Sequence, residues 1–188
     1  AIHPLTSTTD MKKMAEVFST QYGIKEISLS KSYRSTAPIN KFAFDIIGIH
    51  NPDLYVERDG KAPEVRVCKN QKKEIMKLLQ EIPKDKSVAI LTVDLDSARY
   101  VQQKMGAMVA KTERPIQYLL KPYDYLEEKI VAMPIMLAKG LEFDVVIVWD
   151  DRDEAYWKEN KNLKYLMCTR ALHELYFVTE GDSENECK

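Results

Sequence analysis

Glycine is scarce in this sequence, at 6 of 188 residues. None of the six builds a GxxxxGK[ST] loop, whose backbone amides cradle phosphates. Gly60 precedes Lys61, but Ala62 follows where Ser or Thr is required, and Tyr55 stands where the first glycine of that loop belongs. The chain is therefore expected to hold no ATP site of its own and to turn over negligible ATP alone. Cysteine is equally sparse. Cys68, Cys168 and Cys187 are widely spaced and odd in number, which argues against a disulfide framework or a CxxC zinc site. His3, His50 and His173 pair with no cysteine at ligand spacing, so no metal centre is expected. GxGxxG, GxSxG and HExxH motifs are missing too, which leaves a small-molecule α/β enzyme of another kind as a distant third reading. No apolar run is long enough to span a bilayer and no signal-peptide pattern opens the chain. The expectation is a protein of the reducing cytoplasm with no membrane partner. Nor is there an excess of one charge: Lys+Arg 28 against Asp+Glu 29 gives a net charge of −1. That balance excludes the basic surface of a protein that grips nucleic acid by bulk charge. The sequence opens at Ala1 and first reaches Met at Met11, as tag removal or excision from a longer protein would leave it.

What is present is the mixture of an ordinary globular domain, 45% hydrophobic and 30% charged. The length suits one domain over residues 1–188 with a sizeable core. No linker or internal repeat divides it, and the polar tail 181–188 is expected to fray.

Helical periodicity alternates with short apolar runs. Thr8, Thr9 and Asp10 offer caps to a helix with Met11, Met14, Ala15 and Phe18 on one face, and residues 27–29 read as a strand. Thr36 is placed to cap a helix with Pro38 in its first turn and Ile39, Phe42, Ala43, Ile46 and Ile47 facing inward. Asp59-Gly60, between the alternating stretches 54–56 and 65–67, reads as a hairpin or tight turn. Asn70 caps a helix carrying Ile75, Leu78, Leu79 and Ile82, closed by Pro83. The β-branched run 88–93 looks like a strand covered on both faces. Asp94, Asp96 and Ser97 lead into a helix with Ala98, Val101, Met105 and Met108. Residues 116–120, 130–136 and 145–149 are further strands. A last helix around Leu163, Leu166 and Met167 precedes a strand at 175–178. Repeated strand–helix units imply a mainly parallel sheet with helices on both faces, a three-layer αβα domain.

Ligands of open α/β sheets bind at the carboxyl ends of strands, which gives weight to polar clusters just after strands. Three stand out: Ser32-Tyr33-Arg34-Ser35-Thr36, Ala138-Lys139-Gly140-Leu141-Glu142-Phe143-Asp144, and Cys168-Thr169-Arg170-Ala171. Singly, each has a plainer reading. Tyr33 is a rim aromatic, Arg34 a solvated charge, Lys139 and Glu142 a weak surface pair, and Arg170 a counter-charge to a helix end. Together and in this order they carry more.

The trio resembles the later motifs of superfamily 1 helicases of the UvrD/Rep type, whose second RecA-like domain carries "YRS", "AKGLEFD" and "TRA" in that order. Ala1-Ile2-His3 is similar to the end of the motif that precedes them. The resemblance implies a RecA-like, P-loop NTPase-like fold without its own P-loop, working against a first RecA-like domain of the same polypeptide. That domain would hold most of the ATP and Mg²⁺. The resemblance makes Arg34 and Arg170 the arginines that stabilise charge developing on the γ-phosphate, a task suited to a guanidinium that stays charged. Tyr33 would stack on adenine, Glu142 would accept from a ribose hydroxyl, and Gly140 would permit the close backbone turn before Glu142. Lys139 shapes its motif or lies on the surface. Two departures are informative. Pro134 and Met136 stand where DNA-translocating members carry Thr and His, and the 106 positions from Arg34 to Gly140 leave no room for the large UvrD/Rep insertion. Both resemble the HelD branch, helicase-like ATPases acting on bacterial RNA polymerase. RNA polymerase and DNA are thus the implied macromolecular partners. The alternative is a binding module whose arginines contact polymerase or nucleic acid rather than ATP.

Overall fold

The computed structural model describes residues 31–109, 114–122 and 124–181, together with Ser19, Thr20 and Tyr22. The expected helix at 8–18 and the strand at 27–29 lie outside the described residues, as do Cys187 and nearly all of the tail.

Among the described residues six strands form one sheet: β1 (Glu64–Cys68), β2 (Val88–Thr92), β3 (Ile116–Tyr118), β4 (Ile130–Pro134), β5 (Phe143–Asp150) and β6 (Ala171–Glu180). Their order is β1-β6-β5-β2-β4-β3, and every pairing is parallel. All five residues of β2 and of β4 are buried, the pattern of central strands covered on both faces. Helices α1 (Ala37–Ile46), α4 (Glu154–Glu159) and α5 (Lys161–Cys168) cover one face, and α2 (Gln71–Glu81) and α3 (Leu95–Val109) the other. On the first face Ile39, Ala43, Leu163 and Met167 pack on Leu91, Val131, Val146 and Phe177. On the second, Ile75, Leu78, Val101 and Met105 meet Ile90, Ala132, Ile147 and Val178. Each fully buried aliphatic side chain contributes about 1.5–3 kcal/mol. Cys168 belongs to the first core, where burial pushes its thiol up to about 12; it is a packing residue. Neither Cys68 nor Cys168 is in a disulfide. No helix among the described residues is long and apolar enough to cross a membrane.

Local chemistry sets the helix starts. Asn70 Oδ1 accepts from Lys73 N at 3.0 Å, Asp94 Oδ1 from Ser97 N at 2.8 Å, and Asp153 Oδ1 from Tyr156 N at 2.7 Å.

Several expectations need correction. Thr36 occupies the N-cap position of α1 with extended backbone, but its side chain makes no capping bond. Thr36 Oγ1 is buried without a partner, while Pro38 sits in the first turn as expected. Asp59-Gly60 makes no hairpin. Gly60 lies so close to Thr36 that a Cβ there would collide with its side chain. The glycine therefore serves a close backbone approach, and β1 pairs in parallel with β6. The strand expected at 130–136 stops at Pro134, and Ile135–Ala138 is a 3-10 turn. Helix α4, too short to show periodicity, has no counterpart in the sequence reading.

Candidate functional site

The three polar clusters meet at one end of the sheet. Residues 32–36 form a loop pinned on two sides. Ser32 N donates to Leu54 O at 2.7 Å and Val56 N donates back to Ser32 O at 3.1 Å. Ser35 Oγ donates to Ala171 O at 2.6 Å, and Thr36 N to Leu172 O at 3.2 Å, so the loop is tied to the first residues of β6. Both Ser35 and Thr36 are buried.

The second cluster runs from the 3-10 turn into β5. Gly140 has φ +83°, and a Cβ there would meet nothing within 4 Å. The requirement is conformational, a left-handed residue, which only glycine meets without strain. Leu141 N donates to Ala138 O at 3.1 Å, closing the turn, and Phe143 N donates to Arg170 O at 3.0 Å, joining it to the third cluster.

Thr169 is the C-cap of α5 and Arg170 follows it. Arg170 is only 9% exposed. Its Nη1 lies 3.4 Å from Ala138 O and 3.3 Å from Leu141 O, its Nη2 3.2 Å from Thr169 Oγ1, and its Nε is buried with no partner. Burial pushes the guanidinium below its ordinary value, the neighbouring Arg34 charge adds to that, and Glu142 opposes it. An arginine nevertheless keeps its charge.

Arg34 and Glu142 meet directly, Nε to Oε1 at 2.5 Å. The structure thus brings Arg34, Glu142 and Arg170, from three segments far apart in sequence, into one electrostatic cluster. Two guanidinium groups flank one carboxylate, and one buried N–H donor has no acceptor. Such a set suits a multiply charged anion carrying hydroxyl groups, with arginines as donors and the carboxylate as acceptor. Tyr33 is not gathered in: it stands 73% exposed beside the cluster, its ring open to a stacking partner. Lys139 is also exposed. Among the described residues no group of three or more His, Cys, Asp or Glu is arranged to hold a metal ion.

The position of the cluster corrects one premise. It lies where β5 and β6 begin, at the amino edge of the sheet, not at the carboxyl edge where ligands of such sheets usually bind. Sequence order alone places the polar segments before their strands, and that signal was available.

Sequence reasoning also missed the supporting residues. Arg58 Nη1 donates to Arg34 O at 2.9 Å, and its Nη2 lies 3.0 Å from His173 Nδ1. Arg58 therefore holds the first loop against the start of β6. Asp144 is a joint within the fold. Its Oδ2 accepts from Ser87 N at 2.9 Å and Ser87 Oγ at 2.7 Å, and its Oδ1 lies 3.5 Å from Lys86 Nζ. Burial disfavours its ionised form, but the Ser87 bonds and Lys86 outweigh this and hold the carboxyl below its ordinary value. Only the serine-rich loop 32–36 and the aspartate closing the second motif hint at such joints in sequence.

Comparison with known proteins bears on the fold that carries this cluster. Residues 129–178 match the UvrD-like helicase C-terminal domain family, a stretch that holds Gly140, Glu142 and Arg170 but not Tyr33 or Arg34. No curated protein matches the chain. Among solved structures, the C-terminal domain of a possible DNA helicase from Lactobacillus plantarum WCFS1 superposes with a TM-score of 0.63 and 29% identity, covering 80% of this chain and 88% of that one. The six-stranded parallel αβα fold is that of a RecA-like helicase C-terminal domain; residues 129–178 are similar in sequence to the UvrD-like helicase C-terminal domain, and the fold is similar to that of the C-terminal domain of a possible DNA helicase.

Proposed function

We propose that this chain is the second motor domain of a UvrD-type ATP-dependent helicase or translocase-like protein. In this reading it supplies Arg34 and Arg170 to a composite ATP site whose phosphate loop and Mg²⁺ belong to a first RecA-like domain. The observation that carries it is the convergence of Arg34, Glu142 and Arg170 at one edge. Bound ATP supplies the transferable γ-phosphoryl group. This chain's part is electrostatic and positional, since phosphoryl transfer is accelerated chiefly by placed positive charge. Arg34, half exposed on a loop held by Arg58, is the arginine free to leave Glu142 and donate to the γ-phosphate. Arg170, buried behind it with an unused Nε donor, adds a second charge and fixes the backbone of the 138–142 turn. Glu142, once separated from Arg34, accepts a ribose hydroxyl, and the exposed Tyr33 ring offers adenine a stacking face. Rotation of the two domains about this cleft would convert nucleotide state into movement.

Within that class we infer the HelD-like branch, with RNA polymerase as the target to be remodelled and DNA contacts secondary. Met136 supports this: it is 60% exposed and directly follows β4 and its first 3-10 residue, where a phosphate-gripping side chain would be needed. Its thioether is a poor phosphate partner.

The test is ATP turnover by the full-length polypeptide. Arg34→Ala and Arg170→Ala are each expected to lower it by about 10³-fold. Near-normal turnover in both variants overturns the reading. Tight, salt-sensitive DNA binding by this chain alone, with turnover unaffected by either substitution, would favour the binding-module alternative.

A further inference from the structure

The loop that carries Tyr33 and Arg34 lies between two walls. One is the start of β6, bonded to Ser35 and Thr36. The other is the segment 54–60, which runs beside the loop. Ser32 bonds to Leu54 and Val56 at one end of it, and Ala37 N donates to Arg58 O at 2.8 Å at the other. Between these ties Arg58 Nη1 donates to Arg34 O at 2.9 Å. Arg58 thus grips both ends of residues 34–37, with its own carbonyl and with its side chain. Gly60 completes this wall, since the Thr36 side chain fills the space that a Cβ would need.

The Arg58 side chain has a firm seat. Its Nη2 lies 3.0 Å from His173 Nδ1 and 3.3 Å from His173 Nε2. No approach in the ring plane reaches both nitrogens at those distances without meeting the carbon between them. The guanidinium therefore lies across the imidazole face, as arginines do on flat rings. His173 Nε2 is in turn 3.5 Å from Asp144 Oδ1, and the other oxygen of Asp144 is fixed by Ser87. One arm of the arginine fork is spent on a carbonyl and the other on a ring.

We propose that Arg58 is a positioning residue for Arg34, fixing the backbone from which Arg34 reaches the γ-phosphate; this rests on the ATP role proposed above. In the structure the tip of Arg34 is held by Glu142. To act on a nucleotide it must leave that carboxylate, and its backbone then sets where its charge can go. Such charge stabilises a transition state only where it is preorganised, and a misplacement of about 1 Å costs about 10²-fold. The Ser32, Ser35 and Thr36 bonds hold the neighbours of Arg34, whereas the Arg58 bond holds Arg34 itself. It is also charge-assisted, and so stronger than the neutral bonds around it. With both arms of its fork occupied, Arg58 influences the nucleotide through Arg34.

Two measurements test this role. In this chain, Arg58→Ala is expected to lower the ¹H–¹⁵N NOE of the Arg34 and Ser35 amides, the sign of faster loop motion, while the amides of β5 keep the parent values. In the full-length polypeptide, Arg58→Ala should lower kcat for ATP by about 10²-fold. In an Arg34→Ala background the same change should alter kcat by less than about twofold, because the residue it acts through is gone. A bond that only supported the fold would lower kcat equally in both backgrounds. Arg58→Lys, whose single ammonium cannot hold the carbonyl and cover the ring together, should recover part of the loss. Unchanged loop amides, a kcat within about twofold of the parent, or equal losses with and without Arg34 would each overturn the positioning role. A large loss in Arg34→Ala with none in Arg58→Ala overturns this role alone, whereas intact turnover in both Arg34→Ala and Arg170→Ala overturns the ATP role and this one with it.

Discussion

The two edges of this sheet invert the usual arrangement of an open α/β protein. Its amino edge holds Arg34 and Arg170 beside Glu142, with Arg58 bracing the loop that carries Arg34, while its carboxyl edge is acidic and its helix starts are capped by its own side chains. The edges also differ in how they are held. At the amino edge, long-range bonds stitch three sequence segments together: Ser35 to Ala171, Phe143 to Arg170, Arg170 to Ala138 and Leu141, Asp144 to Ser87. At the carboxyl edge the polar contacts of residues 150–157 are mainly local, apart from those to Asp94, Ser97 and Gln71. A domain that presents charge to a partner's nucleotide benefits from a rigid amino edge, because charge stabilises a transition state only where it is preorganised.

The largest effect expected from that difference separates the two arginines. Arg170→Ala in this chain should lower stability by about 3 kcal/mol, since it strips a buried charged donor from two backbone carbonyls. Arg34→Ala removes one partly exposed ion pair and should stay within about 0.5 kcal/mol of the parent. Urea unfolding followed by circular dichroism measures both. Equal midpoints for the two variants would mean that Arg170 does not stitch the amino edge, and the contrast between edges would lose its main support.

A smaller effect compares glycines at the two ends. At the amino edge a Cβ on Gly60 would run into the whole branch point of Thr36, a buried residue whose backbone anchors the first loop. Gly60→Ala should cost about 2 kcal/mol through overpacking. At the other end of β6, a Cβ on Gly181 would approach only Val67 Cγ1, at 2.8 Å. Val67 is on an edge strand and exposed enough to shift, so Gly181→Ala should cost less than about 1 kcal/mol. Melting temperatures would rank the pair, and the reverse order would show that the first loop tolerates displacement.

The legibility of these features in sequence followed their range. Local signals read true: Asn70 as a cap, the apolar run at 88–92, and the spacing of Ile75, Leu78 and Leu79 on a buried helical face. The three motifs were visible as motifs, and Arg34, Glu142 and Arg170 do come together. Features that depend on a distant partner stayed hidden. Asp59-Gly60 carries ordinary turn chemistry, and nothing local says that Gly60 is there for Thr36. Thr36 has a capping side chain, but packing against Gly60 turned it away from the helix. Arg58 looks like any surface arginine until the fold sets it beside Arg34 O. The edge on which the cluster sits was misjudged because a general habit of α/β sheets was weighted above the chain order of motif and strand.

The smallest effects set one aspartate at each edge against the other. Asp144 has its carboxyl held below the ordinary 3.8: burial opposes this, but the Ser87 bonds and Lys86 prevail. A carboxyl lowered in the folded state adds stability above its unfolded value and loses it as pH falls through the folded one. Asp150 goes the other way. Burial raises it above 3.8 despite the bond from Trp157, so its ionisation opposes folding above the folded value, and acidification relieves that cost. Asp144→Asn should therefore lower stability at neutral pH by about 1 kcal/mol, with the loss fading as pH falls below about 3.8 and through the lower folded value. Asp150→Asn keeps an acceptor for Trp157 Nε1 and removes the buried charge, so it should leave stability at neutral pH unchanged or slightly raised. Denaturant midpoints of both variants between about pH 3 and pH 7 give the sign of each. Two variants losing stability in parallel as pH rises would mean that the carboxyl edge holds its acid as favourably as the amino edge does.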